Sequence, residues 1–181
     1  MKDLSMHMMD IAQNSVRAKA SLVKLSVSED GQTITLAIED NGSGMDAETL
    51  AKVSDPFFTS RTRRKVGLGI PLIKQNAEQT GGAITLESEP GVGTRLQATF
   101  NKTNIDCLPR GDLAQTITLL MVGHPSVNFI FTYNNITNYQ ISSHELKEAI
   151  GEENFHNPKA IRLIREIIHE NLTESGFETD F

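Results

Sequence analysis

The chain has one cysteine, no tryptophan and two tyrosines among its 181 residues. The lone thiol, Cys107, excludes an intramolecular disulfide framework and a cysteine-cluster metal site. No apolar run approaches the length needed to span a bilayer, so a transmembrane segment is not expected. The opening MKDLSMHMMD mixes charge into its first residues and lacks a signal-peptide core, which places the protein in the cytoplasm as an expectation. Positive charge is also short. Seventeen basic residues against 23 acidic give a net charge of −6. That balance opposes nucleic-acid binding, which needs a cationic footprint.

What basic charge there is clusters. Arg61, Arg63, Arg64 and Lys65 stand together in an otherwise acidic chain. A local positive concentration of this kind suits a small anion, such as a nucleotide phosphate, better than a polymer. The length fits one domain, or one domain with a modest appendage.

The chain opens on a helical pattern, with Leu4, Met8, Ile11, Ala12 and Ser15 at helical spacing. Two alternating strands follow, around Val23–Val27 and Ile34–Ile38, joined by an Asp30-Gly31 turn. Residues 41–69 form a long connection with a short helical patch near 47–53; connections of this length are often lids or binding loops. A helix starts near Gly69, with Pro71 in its first turn and Gly81-Gly82 at its stop. A second hairpin turns through Glu89-Pro90-Gly91-Val92-Gly93. Residues 101–112 read as a linker. Beyond it Asp112 caps a helix, Val127–Tyr133 and Asn138–Ile141 read as strands, Ser143 caps a short helix, and Asn157-Pro158 opens the last one. The tail after Ser175 is expected to fray.

Four blocks carry chemistry. In the opening helix Asp10, Asn14 and Arg17 are spaced by four and three, so a carboxylate, an amide and a guanidinium share one face. They suit a hydrated metal and a phosphate; a solvated face with one helical ion pair is the plainer alternative. The second block, Glu39-Asp40-Asn41-Gly42-Ser43-Gly44, leaves an apolar strand. Asp40 there is placed to accept from an exocyclic amine, and the glycines permit close approach. A tight turn is the alternative. A calcium loop is not, because no glutamate completes its spacing. The third block is Asp55-Pro56-Phe57-Phe58-Thr59-Ser60-Arg61, the basic cluster, and Val66-Gly67-Leu68-Gly69-Ile70. Free amides at Gly67 and Gly69, before a helix N-terminus, make a phosphate cradle. It fits neither a dinucleotide fingerprint nor a Walker loop. The fourth is Gly91-Val92-Gly93-Thr94.

Together and in this order, over residues 4–100, the blocks resemble the Bergerat-fold ATPase superfamily of gyrase-type topoisomerases, Hsp90-type chaperones, sensor histidine kinases and mismatch-repair ATPases. Asp-Pro-Phe-Phe-Thr-Ser-Arg, Gly-Leu-Gly-Ile, Gly-Gly and Gly-Val-Gly-Thr are most similar to histidine-kinase catalytic domains. The resemblance implies an α/β two-layer sandwich, a mixed β-sheet with helices on one face, over residues 1–101. Residues 102–181 would be a C-terminal α/β extension packed on, or completing, the same sheet. It implies ATP and Mg²⁺ as cofactors. Asn14 would hold Mg²⁺ and Arg17 the phosphates. Asp40 would read adenine, with Gly42 and Gly44 shaping its pocket. Gly67, Leu68 and Gly69 would cradle phosphate, Thr94 would help hold the base, and Arg61 and Lys65 would lie on the ATP lid.

Where superfamily members that hydrolyse ATP, or phosphorylate serine, often carry Glu, this chain has Asp10. It is the same carboxyl group one methylene shorter, and the resemblance implies the role of general base for it. With the ATP domain starting near residue 4, an acceptor hairpin ahead of it is not expected. Ser143-His144-Glu145-Leu146-Lys147 is similar to an acceptor box but follows the domain and lacks its Thr-Pro continuation. His7 reads as an ordinary helix histidine. The expected function is an ATP-dependent kinase or ATPase acting on a protein partner. The alternatives are an anti-sigma-type serine kinase and a nucleotide-gated binding module without phosphotransfer. A conformational ATPase of the mismatch-repair kind fits the acidic charge and short chain less well.

Overall fold

A computed structural model describes residues 1–53, 55 and 68–178. The elements run α1 (Leu4–Arg17), β1 (Leu22–Asp30), β2 (Thr33–Asp40), α2 (Ala47–Val53), α3 (Gly69–Gln79), β3 (Ile84–Glu89), β4 (Gly93–Asn101), α4 (Leu113–Gly123), β5 (Asn128–Asn134), β6 (Asn138–Ser142), α5 (Ser143–Ile150) and α6 (Pro158–Glu174). The strands make one six-stranded sheet in the order β3-β4-β2-β1-β5-β6. All neighbours are antiparallel except β1 and β5, which are parallel. This is the mixed α/β sandwich, with helices over one face.

Period-two alternation decides which face is covered. Val23, Leu25 and Val27 of β1, Leu36 and Ile38 of β2, Leu96 and Phe100 of β4, and Phe129 and Phe131 of β5 are buried. They meet Leu4, Met8 and Ile11 of α1, Ile73 and Ala77 of α3, Ile117 and Leu120 of α4, and Ile164 and Ile168 of α6. Each such Leu, Ile or Phe contributes about 1.5–3 kcal/mol by burial. The intervening positions, among them Lys24, Ser26, Thr35, Gln97 and Thr132, leave the other face polar and open to water, as an antiparallel sheet allows. No helix among the described residues is long and apolar enough to cross a membrane.

The C-terminal part joins this sheet through β5 on β1. The segment leading to it is tied down. Leu4 N donates to Pro109 O and Ser5 N to Arg110 O, at 2.9 and 3.0 Å, satisfying amides that the helix start leaves free. Arg110 also clamps Glu29 of β1 through Nε to Oε1 at 2.6 Å and Nη2 to Oε2 at 2.8 Å. Tyr133 of β5 donates to Glu29 Oε1 at 3.2 Å, and Lys102 Nζ lies 3.6 Å from Oε2. One buried carboxylate thus joins β1, the connecting segment and β5.

Two local expectations are corrected. Ser142, not Ser143, caps α5, accepting from Glu145 N while the Glu145 carboxylate accepts from Ser142 N. Ser143 Oγ turns inward, accepting from Phe129 N and donating to Val127 O. The tail does not fray at Ser175. Ser175 and Phe177 are buried, and the Phe177 ring packs edge-on against Tyr133 at 5.6 Å.

Burial opposes ionisation of Glu29, but the hydrogen bond and charge of Arg110, with Lys102 and Tyr133 adding, outweigh it and hold the carboxyl below its ordinary 4.5. A carboxyl depressed by folding contributes stability above its unfolded value and loses it as pH falls through the folded one. Glu29→Gln is therefore expected to cost about 2 kcal/mol at neutral pH. In urea melts at several pH values, the gap from the natural protein should narrow below 4.5. A constant gap would show that the charge of Glu29 contributes nothing.

Candidate functional site

The site lies between α1 and the ends of β2 and β4. α1 starts at Asp3, whose side chain accepts from Met6 N, and it stops where Lys19 adopts φ 59°. That left-handed residue lets Ala20 N reach Ser15 O and leaves Ala18 O free to accept Ser43 N at 2.9 Å. The chain leaving β2 is thereby stitched to the end of α1. Asn41 adds a second stitch, its Oδ1 accepting from Ser21 N and Leu22 N, both at 2.9 Å.

Asp40 is held from two sides. Its Oδ1 accepts from Gly42 N at 2.9 Å and its Oδ2 from Ser15 Oγ at 2.6 Å. Gly44 takes φ +65°, and a Cβ there would run into Glu89 O, so the turn closes on the β3–β4 hairpin only with glycine. Across the gap Thr94 Oγ1 lies 2.8 Å from Ser88 Oγ, which accepts from Met45 N at 2.8 Å.

These contacts wall a cavity of about 280 Å³. Its apolar lining includes Ile11, Ile38, Val53, Ile70, Leu86 and Leu96, and its polar lining includes Asn14, Ser15, Arg17, Asp40, Gly44 and Thr94. Such a slot, with few polar groups on its wall, suits a planar base with an exocyclic amine turned to Asp40. A larger hollow of about 480 Å³ also touches Asp40 and Thr94. It opens on the polar sheet face through Lys24, Glu39, Glu87 and Arg95 and meets neither Asn14 nor Arg17.

Midway along α1 the carboxylate of Asp10 packs on the first turn of α3. A Cβ on Gly69 would collide with Asp10 Oδ2. Among the described residues that buried oxygen has no hydrogen-bond partner. α3 begins at Leu68 without a side-chain cap. One turn before Asp10, the fully buried His7 ring shares a 2.8 Å hydrogen bond between Nε2 and Asn76 Nδ2. The amide nitrogen can only donate, so Nε2 accepts and Nδ1 carries the hydrogen. Burial, with the N-terminal charge adding and Asp3 opposing, pushes this ring down to about 4. A base depressed in the fold costs stability as pH falls from its ordinary 6.5 towards that value.

The structure brings Asn14, Arg17, Asp40, Gly44 and Thr94 to one cavity, with Gly42 bonded to Asp40 just behind it. Asp10, Leu68 and Gly69 stand together at the α1–α3 seam. Arg61, Lys65 and Gly67 lie outside the described residues. Arg17 Nη1 donates to Asn14 Oδ1 at 2.8 Å. His144 is not among the residues lining the cavity; it is exposed and paired with Glu148 at 3.3 Å. Sequence reading passed over Ser15, Asn41 and Ser88. Ser15 stood beside Asn14 in the block itself, and Ser88 is the cross-strand partner of Thr94.

The fold is a mixed α/β domain with a cavity shaped to suit a nucleotide. The chain belongs to the family of histidine kinase-, DNA gyrase B- and HSP90-like ATPases, whose profile matches residues 2–104, and it carries that family's ATP-binding domain. It is 38% identical over 82 residues to the heme sensor protein HssS of Staphylococcus saprophyticus, covering 45% of this chain and 18% of the sensor. Against the sensor kinase CckA of Brucella abortus the identity is 40% over 65 residues, covering 35% of this chain and 7% of the kinase. Against the sensor histidine kinase ZraS of Escherichia coli K12 it is 27% over 93 residues, 50% of this chain and 20% of the kinase. The chain thus spans a fifth or less of each. Among solved structures, the ADP-complexed ATPase domain of Aquifex aeolicus MutL matches with a TM-score of 0.50 and 17% identity, over 74% of this chain and 60% of that one. At that identity the likeness shows the fold alone.

Proposed function

We propose that the chain binds Mg·ATP in the α1–sheet cavity and passes the γ-phosphoryl group to a partner protein. The observation that carries the reading is Asp40. Its carboxylate, fixed by Ser15 and Gly42, stands on the wall of an apolar slot that Asn14 and Arg17 also line. Such a carboxylate accepts from the amine of adenine, where guanine would offer a carbonyl.

The donor set also fits a magnesium ion. Mg²⁺ is usually bound through one or two protein oxygens together with substrate phosphates and water. Asn14 Oδ1 is such an oxygen, and the hydrogen bond it now accepts from Arg17 would be exchanged, freeing the guanidinium for phosphate. The bound ion would neutralise charge on the phosphates. Gly69, on the uncapped start of α3, would offer phosphate a backbone amide. Asp10 Oδ2, buried and without a hydrogen-bond partner among the described residues, would take the proton from an attacking hydroxyl or imidazole. Such a protein works where ATP and its acceptor are, in the cytoplasm.

The test is incubation of the purified chain and its co-purifying proteins with ATP labelled at the γ-phosphate. Label on a protein is expected. Label released only as inorganic phosphate would make the chain an ATPase. ATP binding with neither outcome would make it a nucleotide-gated binding module.

A further inference from the structure

The charges of α6 run against its own dipole. Lys159, Arg162 and Arg165 fill the N-terminal half, and Glu166, Glu170 and Glu174 the C-terminal half. No acidic residue stands in the first turn and no basic residue in the last. A helix prefers the reverse, anions near its N-terminus and cations near its C-terminus. Alone, α6 is therefore disfavoured at both ends by its own side chains.

Its packing shows which flank is left over. Ile164, Ile168 and Leu172, each at 0% exposure, define the inward stripe. To one side Arg165 Nη2 reaches Asp112 Oδ2, at the cap of α4, at 2.7 Å. To the other side, at helical spacing, lie Ala160, Leu163 and Ile167. Leu163 is 49% exposed, and Ala160 and Ile167 are half-buried. Lys159 borders this strip before its middle and Glu166 and Glu170 after it, with Arg162 one row further out, and all four are exposed. Among the described residues none of the four is held in an ion pair.

An apolar strip with cations at one end and anions at the other is complementary to itself when turned end for end. We infer that α6 is a self-association surface on which two copies of this chain pair through antiparallel α6 helices. Leu163 then packs on Ile167 of the second copy, Lys159 faces its Glu170 and Arg162 its Glu166, and the two-fold axis repeats each contact. The second copy also brings an opposed dipole, so the charge order that disfavours one helix stabilises two. A single helix pair covers less than the roughly 800 Å² per partner of a standard interface, so the dimer is reversible and weakens with salt.

Sedimentation velocity over a rising concentration series tests this on the full chain. Two half-reversals are needed. Lys159→Glu with Arg162→Glu makes the flank wholly acidic; Glu166→Lys with Glu170→Lys makes it wholly basic. Each aligns α6 better with its own dipole, so neither should lower the melting temperature, and thermal melts check that. The natural protein should shift from monomer to dimer. Each half-reversed variant should stay monomeric at concentrations where the natural protein pairs. An equimolar mixture of the two should pair again, and added salt should dissociate both kinds of dimer. A natural protein that stays monomeric throughout, a half-reversed variant that dimerises as well as it does, or a mixture that fails to pair would overturn the inference.

Discussion

Asp40→Asn is expected to lower ATP affinity about 100-fold, close to 3 kcal/mol. The substitution keeps the shape of the side chain, so the slot between Ile38 and Leu96 survives. What changes is chemistry. Both carboxylate oxygens already accept, one from Gly42 N and one from Ser15 Oγ, and both have lone pairs to spare. An amide has one acceptor and presents two N–H groups. It would face either Gly42 N or the adenine amine donor against donor, while the Ser15 hydroxyl can turn to accept. The loss combines a charge-assisted hydrogen bond with a buried donor left unmatched. Calorimetric titration of both proteins measures it, with circular dichroism confirming the fold. The natural protein should also prefer ATP to GTP, and the variant should lose that preference. Equal ATP affinity in the two proteins would mean that the base is read elsewhere.

Asp10→Asn is expected to leave ATP affinity within a factor of about two and to lower turnover by about 10²–10⁴-fold, the usual contribution of a positioned general base. Oδ2 is buried, has no hydrogen-bond partner among the described residues and rests against Gly69, one turn before Asn14 on the same helix face. An amide fills the same space and cannot take the proton. Gly69→Ala pushes a methyl group into that oxygen and should also lower turnover, by moving the base instead of removing it. Parallel single-turnover and equilibrium-binding assays separate chemistry from affinity. An unchanged rate in Asp10→Asn removes Asp10 from the reaction.

Local signals in the chain were strong enough to place most elements. Asp30-Gly31 marked the β1–β2 turn, Asp112 and Asn157-Pro158 marked the starts of α4 and α6, and Gly81-Gly82 stands where α3 stops. The Asp40 and Asn14 blocks were visible because each keeps its chemistry within a few residues of a strand or helix end. What escaped was long-range. Alternation along β1 puts Glu29 in the inward phase with Val23, Leu25 and Val27. Nothing local announces that Arg110, far along the chain, supplies its counter-charge. The parallel seating of β5 on β1 is equally non-local, since no hairpin turn fixes its register. Ser142 is a different case. Its capping box with Glu145 was present in the chain, but the neighbouring Ser143 offered a competing start. Near the tail, terminal position suggested fraying, and contacts of Ser175–Phe177 with Tyr133, Asn135 and Ile136 hold the described part.

ATP titration of the purified chain, with and without Mg²⁺, followed by calorimetry, reaches the central claim most directly. Saturable heat is predicted with ATP, strengthened by the ion, weaker with GTP and reduced about 100-fold in affinity by Asp40→Asn. A folded chain that takes up ATP and GTP alike, or releases no heat with either at millimolar concentration, would contradict it.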